Sequence, residues 1–152
     1  MARYYADTSI WRDLLEDRRD NIRPLSEFAF KLMEKALKEK HTIIFSKEIE
    51  SELCKRFKVE QIHDLALDRF TKENLVLYVK ANVLQLKEAE TLSARLNIPF
   101  LDALHAILAR DNSAILVTRD KHFEELRHIV EVKTPEEIIS RTQDKAPLQP
   151  LP

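Results

Sequence analysis

The chain of 152 residues contains no glycine, and this absence limits the folds and ligand sites open to it. Walker phosphate loops and the Rossmann dinucleotide fingerprint both need glycine, because their backbone approaches phosphate groups closely. The sequence therefore excludes both motifs. Left-handed backbone positions at helix ends must be filled by other residues, and we expect Asn97 and Asn112 to end helices in this way.

The charge balance and the single cysteine limit the cellular compartment and the kinds of partner that we expect. The single cysteine, Cys54, allows no intramolecular disulfide and excludes zinc sites built on CxxC pairs, which favours a reducing cytoplasm. Twenty-five basic and 26 acidic residues nearly balance, so a basic coat for nonspecific nucleic-acid binding is not expected. No apolar run approaches the roughly 20 residues of a membrane span, and the N-terminus does not resemble a signal peptide. We expect a cytoplasmic protein without a membrane partner.

Short apolar runs predict five strands that are buried on both faces. Most of these runs are continuous rather than alternating, which is typical of strands in a parallel sheet covered by helices. The predicted strands are residues 4–6, 43–45, 75–79, 114–117 and 129–132.

Helical periods fill the intervals between these runs. Apolar residues recur at spacings of three and four, and residues 101–108 are apolar nearly all round, as in a central buried helix. The alternation predicts an α/β fold, a three-layer α/β/α sandwich around a mainly parallel five-stranded sheet. We assign residues 1–141 to one domain and residues 142–152, which are rich in proline, to a flexible tail. The further predicted helices hold residues 10–14, 25–37, 49–57, 62–70 and 86–96.

Acidic residues follow the predicted strands, at the sheet edge where open α/β proteins bind ligands. Asp7 follows the first strand, Asp120 follows the fourth, Asp102 begins the apolar helix, and Glu52 lies at the edge of a helix's buried stripe. Each has a simpler interpretation taken alone: the three aspartates could cap helices or turns, and Glu52 could be an ordinary surface charge. The functional hypothesis therefore depends on their joint placement.

Electrostatics give that joint placement a chemical meaning. Two carboxylates about 4 Å apart repel each other by about 1–4 kcal/mol at effective dielectric constants between 80 and 20. Folding alone therefore does not favour a cluster of acids. A divalent cation such as Mg²⁺ or Mn²⁺ reverses the sign of this interaction, prefers hard oxygen ligands and can promote phosphodiester hydrolysis.

Four segments of the sequence resemble the conserved blocks of PIN domains, particularly the small prokaryotic kind to which VapC-type toxins belong. The resemblance covers residues 3–135. The four segments are YYADTSIW, SKEIESELC, IPFLDALHAILAR and ILVTRDKHF, beginning at Tyr4, Ser46, Ile98 and Ile115.

The resemblance implies a function and a set of site residues. PIN domains are Mg²⁺- or Mn²⁺-dependent nucleases that act mostly on RNA. By this resemblance Asp7, Asp102 and Asp120 are metal ligands, directly or through water, and Glu52 positions a water molecule at the metal. Thr8 and Thr118 would support the site, Thr118 more strongly.

Several nearby residues have two interpretations. Arg12, Arg119 and Lys121 flank the acids in sequence, and they either contact RNA phosphates or are solvated charges. His105 lies one turn after Asp102, where a histidine held by a hydrogen bond near the site is favoured over a metal ligand or an acid–base group.

The resemblance also implies partners and leaves other functions to be weighed. Toxin members of the family commonly form dimers and pair with an antitoxin, so we expect a homodimer and an antitoxin partner. The alternatives are a housekeeping RNA-processing nuclease and a PIN-like module that binds RNA or protein without cleavage. A haloacid-dehalogenase-type phosphatase would need a second aspartate where Ser9 stands, and a receiver domain would need one closing the run 75–79.

Overall fold

A computed structural model describes residues 1–16 and 25–145 of the chain. Strands and helices alternate along it, and most of the segments predicted from apolar patterning are present. The strands are β1 Arg3–Ala6, β2 Thr42–Ser46, β3 Val76–Val79, β4 Ile115–Val117 and β5 Val132–Lys133. The helices are α1 Thr8–Glu16, α2 Leu25–Lys38, α3 Lys47–Leu53, α4 Val59–Ile62, α5 Asp68–Lys72, α6 Val83–Leu96, α7 Phe100–Asp111 and α8 Pro135–Lys145, with a π-helical turn at His63–Leu67 and a 3₁₀ segment at Lys121–Leu126.

The five strands form one sheet in the order β3-β2-β1-β4-β5, and every pair of neighbours is parallel. Right-handed connections place α1 to α5 on one face of such a sheet, because the chain moves from β1 through β2 to β3 in one direction. The connection from β3 to β4 runs in the opposite direction, so α6 and α7 cover the other face. The structure confirms the predicted three-layer α/β fold with a parallel five-stranded sheet.

The direction in which successive strands are added to the sheet reverses between β1 and β4, which lie side by side at the middle of the sheet. Ala6 is paired with Val117, so the two strands end at the same level. The chain leaves β1 toward α1 on one face and leaves β4 toward the 3₁₀ segment on the other. Such a switch point opens a crevice at the carboxyl edge, where α/β proteins place their ligands.

Burial differs from the prediction at the two edges of the sheet. The run 75–79 contains strand β3, but β3 is an edge strand in which Leu77 and Tyr78 are exposed. Only Val132 of the run 129–132 lies in a strand, because Ile129 and Val130 donate backbone hydrogen bonds to Leu126 and prolong the turn after the 3₁₀ segment. Edge strands have neighbours on one side only, which an apolar run cannot reveal.

Helix ends without glycine use other residues in the left-handed conformation. Asn97 ends α6 with φ 55°, as predicted. Asn112 does not adopt this conformation: its φ is −100°, its side chain donates to the Leu108 carbonyl, and Ser113 has φ 53° instead. The prediction for Asn112 is therefore wrong by one residue, because α7 continues to Asp111 and turns only after it.

The predicted helix over residues 62–70 is interrupted by the π-helical turn. Leu67 and Phe70 are buried, whereas Leu65, which the period places inside, is 68% exposed. A π turn holds more residues than an α turn and so shifts the buried stripe along the sequence. The helix predicted over 49–57 is also shorter, since α3 ends at Leu53.

The last helix that the structure describes extends past residue 141, the predicted end of the domain. Helix α8 runs to Lys145, four residues into the segment predicted as a tail, and residues 146–152 lie outside the described part of the chain. The division into a domain at 1–141 and a tail at 142–152 remains a prediction. Within residues 1–16 and 25–145, no helix is long and apolar enough to cross a membrane.

Candidate metal centre

Asp7 and Thr118 lie opposite each other at the switch point, directly after β1 and β4. The Asp7 backbone N–H donates to the Val117 carbonyl at 3.0 Å, which extends the strand pairing by one residue. Both side chains are buried. The sheet register therefore brings together two residues that are 111 positions apart in the sequence.

The Asp7 carboxylate is held by short hydrogen bonds. Thr118 donates to Oδ2 and Ser9 donates to Oδ1, both at 2.6 Å, and the Ile10 N–H lies 3.4 Å from Oδ1. Asp7 thus caps α1, as its simpler interpretation requires, while also facing the crevice. Burial raises the pKa of Asp7 to about 6, and the hydrogen bonds from Ser9 and Thr118 only partly oppose this rise.

Thr118 also connects Asp7 to Asp120. Its hydroxyl oxygen accepts a hydrogen bond from the Asp120 N–H at 3.0 Å, and Asp120 Oδ1 accepts one from the His122 N–H at 2.9 Å. Asp120 therefore begins the 3₁₀ segment as a cap, with its carboxylate at the carboxyl edge of the sheet. One buried hydroxyl fixes the relative positions of two acids.

Asp102 comes to this edge from the first turn of α7. The residue before α7 is Pro99, and the start of this helix has no side-chain cap hydrogen bond. The simpler interpretation of Asp102 as a helix cap is therefore not supported. Ligand atoms of Asp102, Asp120 and His122 all lie within 4.8 Å of one another, and His122 Nδ1 is 3.3 Å from Asp120 Oδ1. Burial raises the pKa of Asp102, and the charge of Asp120 raises it further.

Glu52 reaches the same region from α3. Its Oε1 lies 2.6 Å from Nε2 of His105, which is one turn after Asp102 on α7. Burial tends to raise the pKa of Glu52, but hydrogen bonding by His105 and Thr8 outweighs burial and lowers it. Glu52 is therefore not an ordinary surface charge. The negative charge of Glu52 also raises the pKa of Asp102.

The donor set fits a divalent cation. Asp7, Asp102 and Asp120 offer carboxylate oxygens, the ligands that Mg²⁺ and Mn²⁺ prefer. The raised pKa values of Asp7 and Asp102 mark negative charge that the protein does not neutralise, and a bound cation would neutralise it. Beside Asp7, the Thr8 hydroxyl is buried and lies close enough to Glu52 to lower the pKa of that carboxyl.

The basic residues that flank the acids in sequence have different surroundings. Arg119 donates to Asp13 at 2.8 Å and to Glu136, which ties α1 to α8. Arg12 Nε lies 3.5 Å from Glu16 on its own helix. Lys121, at the start of the 3₁₀ segment, is exposed.

Two features of the site were not predicted from the sequence. The first is the position of His122 beside the acids. A histidine two residues after Asp120 in a tight turn can offer a ring nitrogen to the same cation as Asp120, and this spacing could have indicated it. A shallow pocket of about 200 Å³ beside Glu52 is also new, and Lys47, Lys55 and Leu101 are among its lining residues. Its lining comes from α3, the turn after it and α7, and no local sequence pattern reveals that these segments meet there.

The fold and these residues define a class: an α/β protein with a carboxylate cluster at the switch point of a parallel sheet, suited to a divalent cation. Comparison with protein families identifies the class more closely. The family model described as PIN domain matches residues 4–129, so the chain belongs to the PIN domain family. PIN domains are generally nucleases. A comparison with curated proteins found no match.

Solved structures share the fold at low sequence identity. VapBC2 from Rickettsia felis, bound to a DNA fragment from its promoter, has a TM-score of 0.61 at 21% identity, covering 86% of this chain and 98% of that one. FitAcB from Neisseria gonorrhoeae has a TM-score of 0.55 at 16% identity, covering 88% and 98%. PAE2754 from Pyrobaculum aerophilum has a TM-score of 0.52 at 16% identity, covering 92% and 94%. At these identities the likeness extends to the fold alone.

Proposed function

We propose that this protein is a Mg²⁺- or Mn²⁺-dependent endoribonuclease that hydrolyses RNA phosphodiester bonds. The observation that carries the proposal is the cluster of Asp102 and Asp120, which have carboxylate oxygens within 4.8 Å of each other, with Asp7 linked to Asp120 through Thr118. Folding alone does not favour such a cluster, because Asp102 is repelled by Asp120 and by Glu52. Membership of the PIN family supports the same conclusion.

Each residue has a distinct role in this proposal. Asp7, Asp102 and Asp120 hold the cation, directly or through water, and the cation supplies charge stabilisation to the phosphate and lowers the pKa of water. Glu52 stays ionised, since its pKa is lowered, and accepts a hydrogen bond from the attacking water. Thr118 fixes Asp7 relative to Asp120, and Thr8 supports the site beside Asp7.

Cations near the site would bind the RNA backbone. Lys121 is exposed next to Asp120, and Lys47 and Lys55 line the pocket beside Glu52, where Lys47 also pairs with Glu50. Arg119 and Arg12 contact acidic residues of the protein itself, and an RNA contact from either would compete with those ion pairs.

We further propose that the chain is the toxin component of a toxin–antitoxin pair. Support comes from its resemblance to VapC-type proteins and from its fold similarity to VapBC2 and FitAcB. In this proposal the protein acts in the cytoplasm as a homodimer, an antitoxin protein is its partner, and residues 1–141 form the nuclease domain. A housekeeping RNA-processing nuclease is the alternative that keeps the same active site.

A cleavage assay tests the proposal with a matched pair of variants. Wild type, Asp102→Asn and Asp111→Asn are incubated with a generic single-stranded RNA and Mn²⁺ or Mg²⁺, with EDTA as the metal-free reaction. Asp111 lies on the same helix as Asp102 but pairs with Arg110 at the surface, so its substitution controls for loss of a carboxylate. We expect wild type and Asp111→Asn to cleave only with metal, and Asp102→Asn to lose at least 100-fold in rate.

Three outcomes bear on the site and on the choice between functions. Full activity of Asp102→Asn would contradict the assignment of the site. RNA binding by wild type without cleavage in either metal would favour a non-cleaving PIN-like module. Co-purification of a small DNA-binding protein encoded beside this chain would favour the toxin over the housekeeping nuclease.

A further inference from the structure

A continuous chain of hydrogen bonds crosses the core and ends on Glu52. Ser46 Oγ lies 2.7 Å from the Tyr5 hydroxyl, which lies 2.7 Å from His105 Nδ1, and His105 Nε2 lies 2.6 Å from Glu52 Oε1. Ser46, Tyr5 and His105 are buried, and only Glu52 reaches the surface. The four residues come from β2, β1, α7 and α3, so the chain joins four elements around one carboxylate.

The fixed end of this chain is the start of α3. Ser46 caps that helix by accepting a hydrogen bond from the Ile49 N–H at 3.1 Å. The bond from Ile49 uses only the oxygen of the Ser46 hydroxyl, so the hydroxyl hydrogen still needs an acceptor. Among the described residues, the Tyr5 oxygen is the acceptor within hydrogen-bond distance. A buried hydroxyl hydrogen without an acceptor is unfavourable, so Ser46 donates to Tyr5.

That first donation sets the direction of all the others. Tyr5 then donates to Nδ1 of His105, which must be unprotonated to accept. The remaining ring hydrogen stands on Nε2 and is donated to Glu52, an ionised acceptor. In the opposite direction His105 would donate from Nδ1, Tyr5 would donate to Ser46, and the Ser46 hydrogen would have no partner among the described residues. The chain therefore has one fully satisfied arrangement.

We propose that His105 is a positioning residue, held by Tyr5 and Ser46 as the Nε2–H tautomer, which orients the Glu52 carboxylate for the attacking water. The proposal rests on the proposed ribonuclease function. Glu52 needs such a partner because it stands on a helix of seven residues and is repelled by Asp102. A neutral donor fixes one oxygen of Glu52 without neutralising the carboxylate, which leaves the other oxygen to bind water.

Two pairs of variants test this role. Tyr5→Phe removes the hydroxyl in the middle of the chain, and Tyr4→Phe is its control, because Tyr4 is also buried on β1 but packs edge-on against His41. His105→Leu removes the donor while keeping a side chain of similar size. His105→Gln retains an N–H donor that can reach Glu52, so it should restore function if positioning is the role.

The kinetic measurement is kcat and KM for RNA cleavage with Mn²⁺. We expect His105→Leu to lower kcat by 10- to 100-fold and Tyr5→Phe by 3- to 10-fold, with KM within twofold of wild type. His105→Gln should recover at least a third of wild-type kcat, and Tyr4→Phe should match wild type. Equal kcat in wild type and both Tyr5→Phe and His105→Leu, with all three folded, would overturn the proposal. Equal losses of kcat in His105→Leu and His105→Gln, at matched stability, would also overturn the proposal.

An NMR measurement tests the tautomer without reference to activity. Ring nitrogen shifts of His105 at neutral pH should report a protonated Nε2 and an unprotonated Nδ1, and Tyr5→Phe should shift this population. A protonated Nδ1 in wild type would overturn the proposal even if the enzyme is active. If wild type cleaves no RNA, the ribonuclease proposal fails and the positioning role of His105 in that reaction fails with it. Wild-type cleavage abolished by Glu52→Gln but unaffected by the His105 variants would overturn the positioning role alone.

Discussion

The Thr118 hydroxyl donates a 2.6 Å hydrogen bond to Asp7 and accepts a 3.0 Å hydrogen bond from the Asp120 N–H. This single buried group links the residues that follow β1 and β4, the two strands on either side of the switch point. The positions of two candidate metal ligands thus depend on the sheet register rather than on a flexible loop. The site should be largely formed before a cation binds.

Substitution of Thr118 by valine should weaken both the fold and the site. Valine has the same shape but leaves the buried Asp7 oxygen and the Asp120 N–H without their partner, which costs about 1–3 kcal/mol of unfolding free energy. Urea unfolding measures this loss. Thr91→Val is the control, because Thr91 is exposed on α6 and bonds only to a carbonyl of its own helix, Lys87. A loss no larger than that of the control would contradict the linking role of Thr118.

The raised pKa of Asp7 predicts that the metal-free protein loses stability as pH rises. The folded pKa is about 6 and the ordinary value is 3.8, so between these values the folded state binds more protons than the unfolded state. The free energy of unfolding should fall by about 2 kcal/mol between pH 4 and pH 6 because of this residue. Unfolding in EDTA at several pH values should show the fall in wild type and not in Asp7→Asn. A difference between the two proteins that does not change with pH would contradict this account.

Asp102→Asn should raise the melting temperature of the metal-free protein while abolishing cleavage. Asp102 is partly buried and is repelled by Asp120, so a neutral amide relieves an unfavourable charge, by about 1–4 kcal/mol at effective dielectric constants between 80 and 20. Asp111→Asn should not stabilise the protein, because Asp111 has a lowered pKa beside Arg110. Thermal melts of the three proteins in EDTA measure the difference, and a lower melting temperature for Asp102→Asn would refute the repulsion.

Substitution of His122 should change the relative affinities of the site for different metals more than it changes the affinity for Mg²⁺. Its Nδ1 lies 3.6 Å from Asp102 Oδ2 and 3.3 Å from Asp120 Oδ1, so it can offer nitrogen to an ion held by both carboxylates. Imidazole suits Ni²⁺ far better than Mg²⁺. We expect His122→Ala to lower Ni²⁺ affinity about tenfold and to leave Mg²⁺ affinity within about twofold. His128→Ala, at an exposed position further along, is the control, and equal Ni²⁺ affinity in wild type and His122→Ala would exclude the histidine from the site.

Patterns with a local cause were predicted well from the sequence. Continuous apolar runs identified the core strands, and the positions directly after β1 and β4 identified Asp7 and Asp120, because parallel strands end at one edge. The exposed faces of Leu77 and Leu65 were missed for different reasons. The first depends on which strand lies at the sheet edge, and the second depends on a π turn that no periodicity shows.

Hydrogen bonds between distant parts of the sequence hold the acidic side chains, and residue spacing could not reveal them. The pairing of Glu52 with His105 joins positions 53 residues apart, and the hydrogen bond between Thr118 and Asp7 joins positions 111 apart. Such contacts follow from the order of the strands and the packing of α3 against its neighbours. The acids were proposed as site residues from the sequence alone, whereas the groups that contact them required the three-dimensional structure.

The central claim is that the carboxylates at the switch point bind a divalent cation, and a calorimetric titration with Mn²⁺ tests it most directly. Wild type and Asp111→Asn should each show saturable binding at micromolar to millimolar Mn²⁺, and Asp102→Asn should bind at least ten times more weakly. The unfolding free energy of wild type should rise with the same concentration dependence. Absence of saturable binding by wild type at millimolar Mn²⁺, or equal binding by Asp102→Asn, would contradict the account.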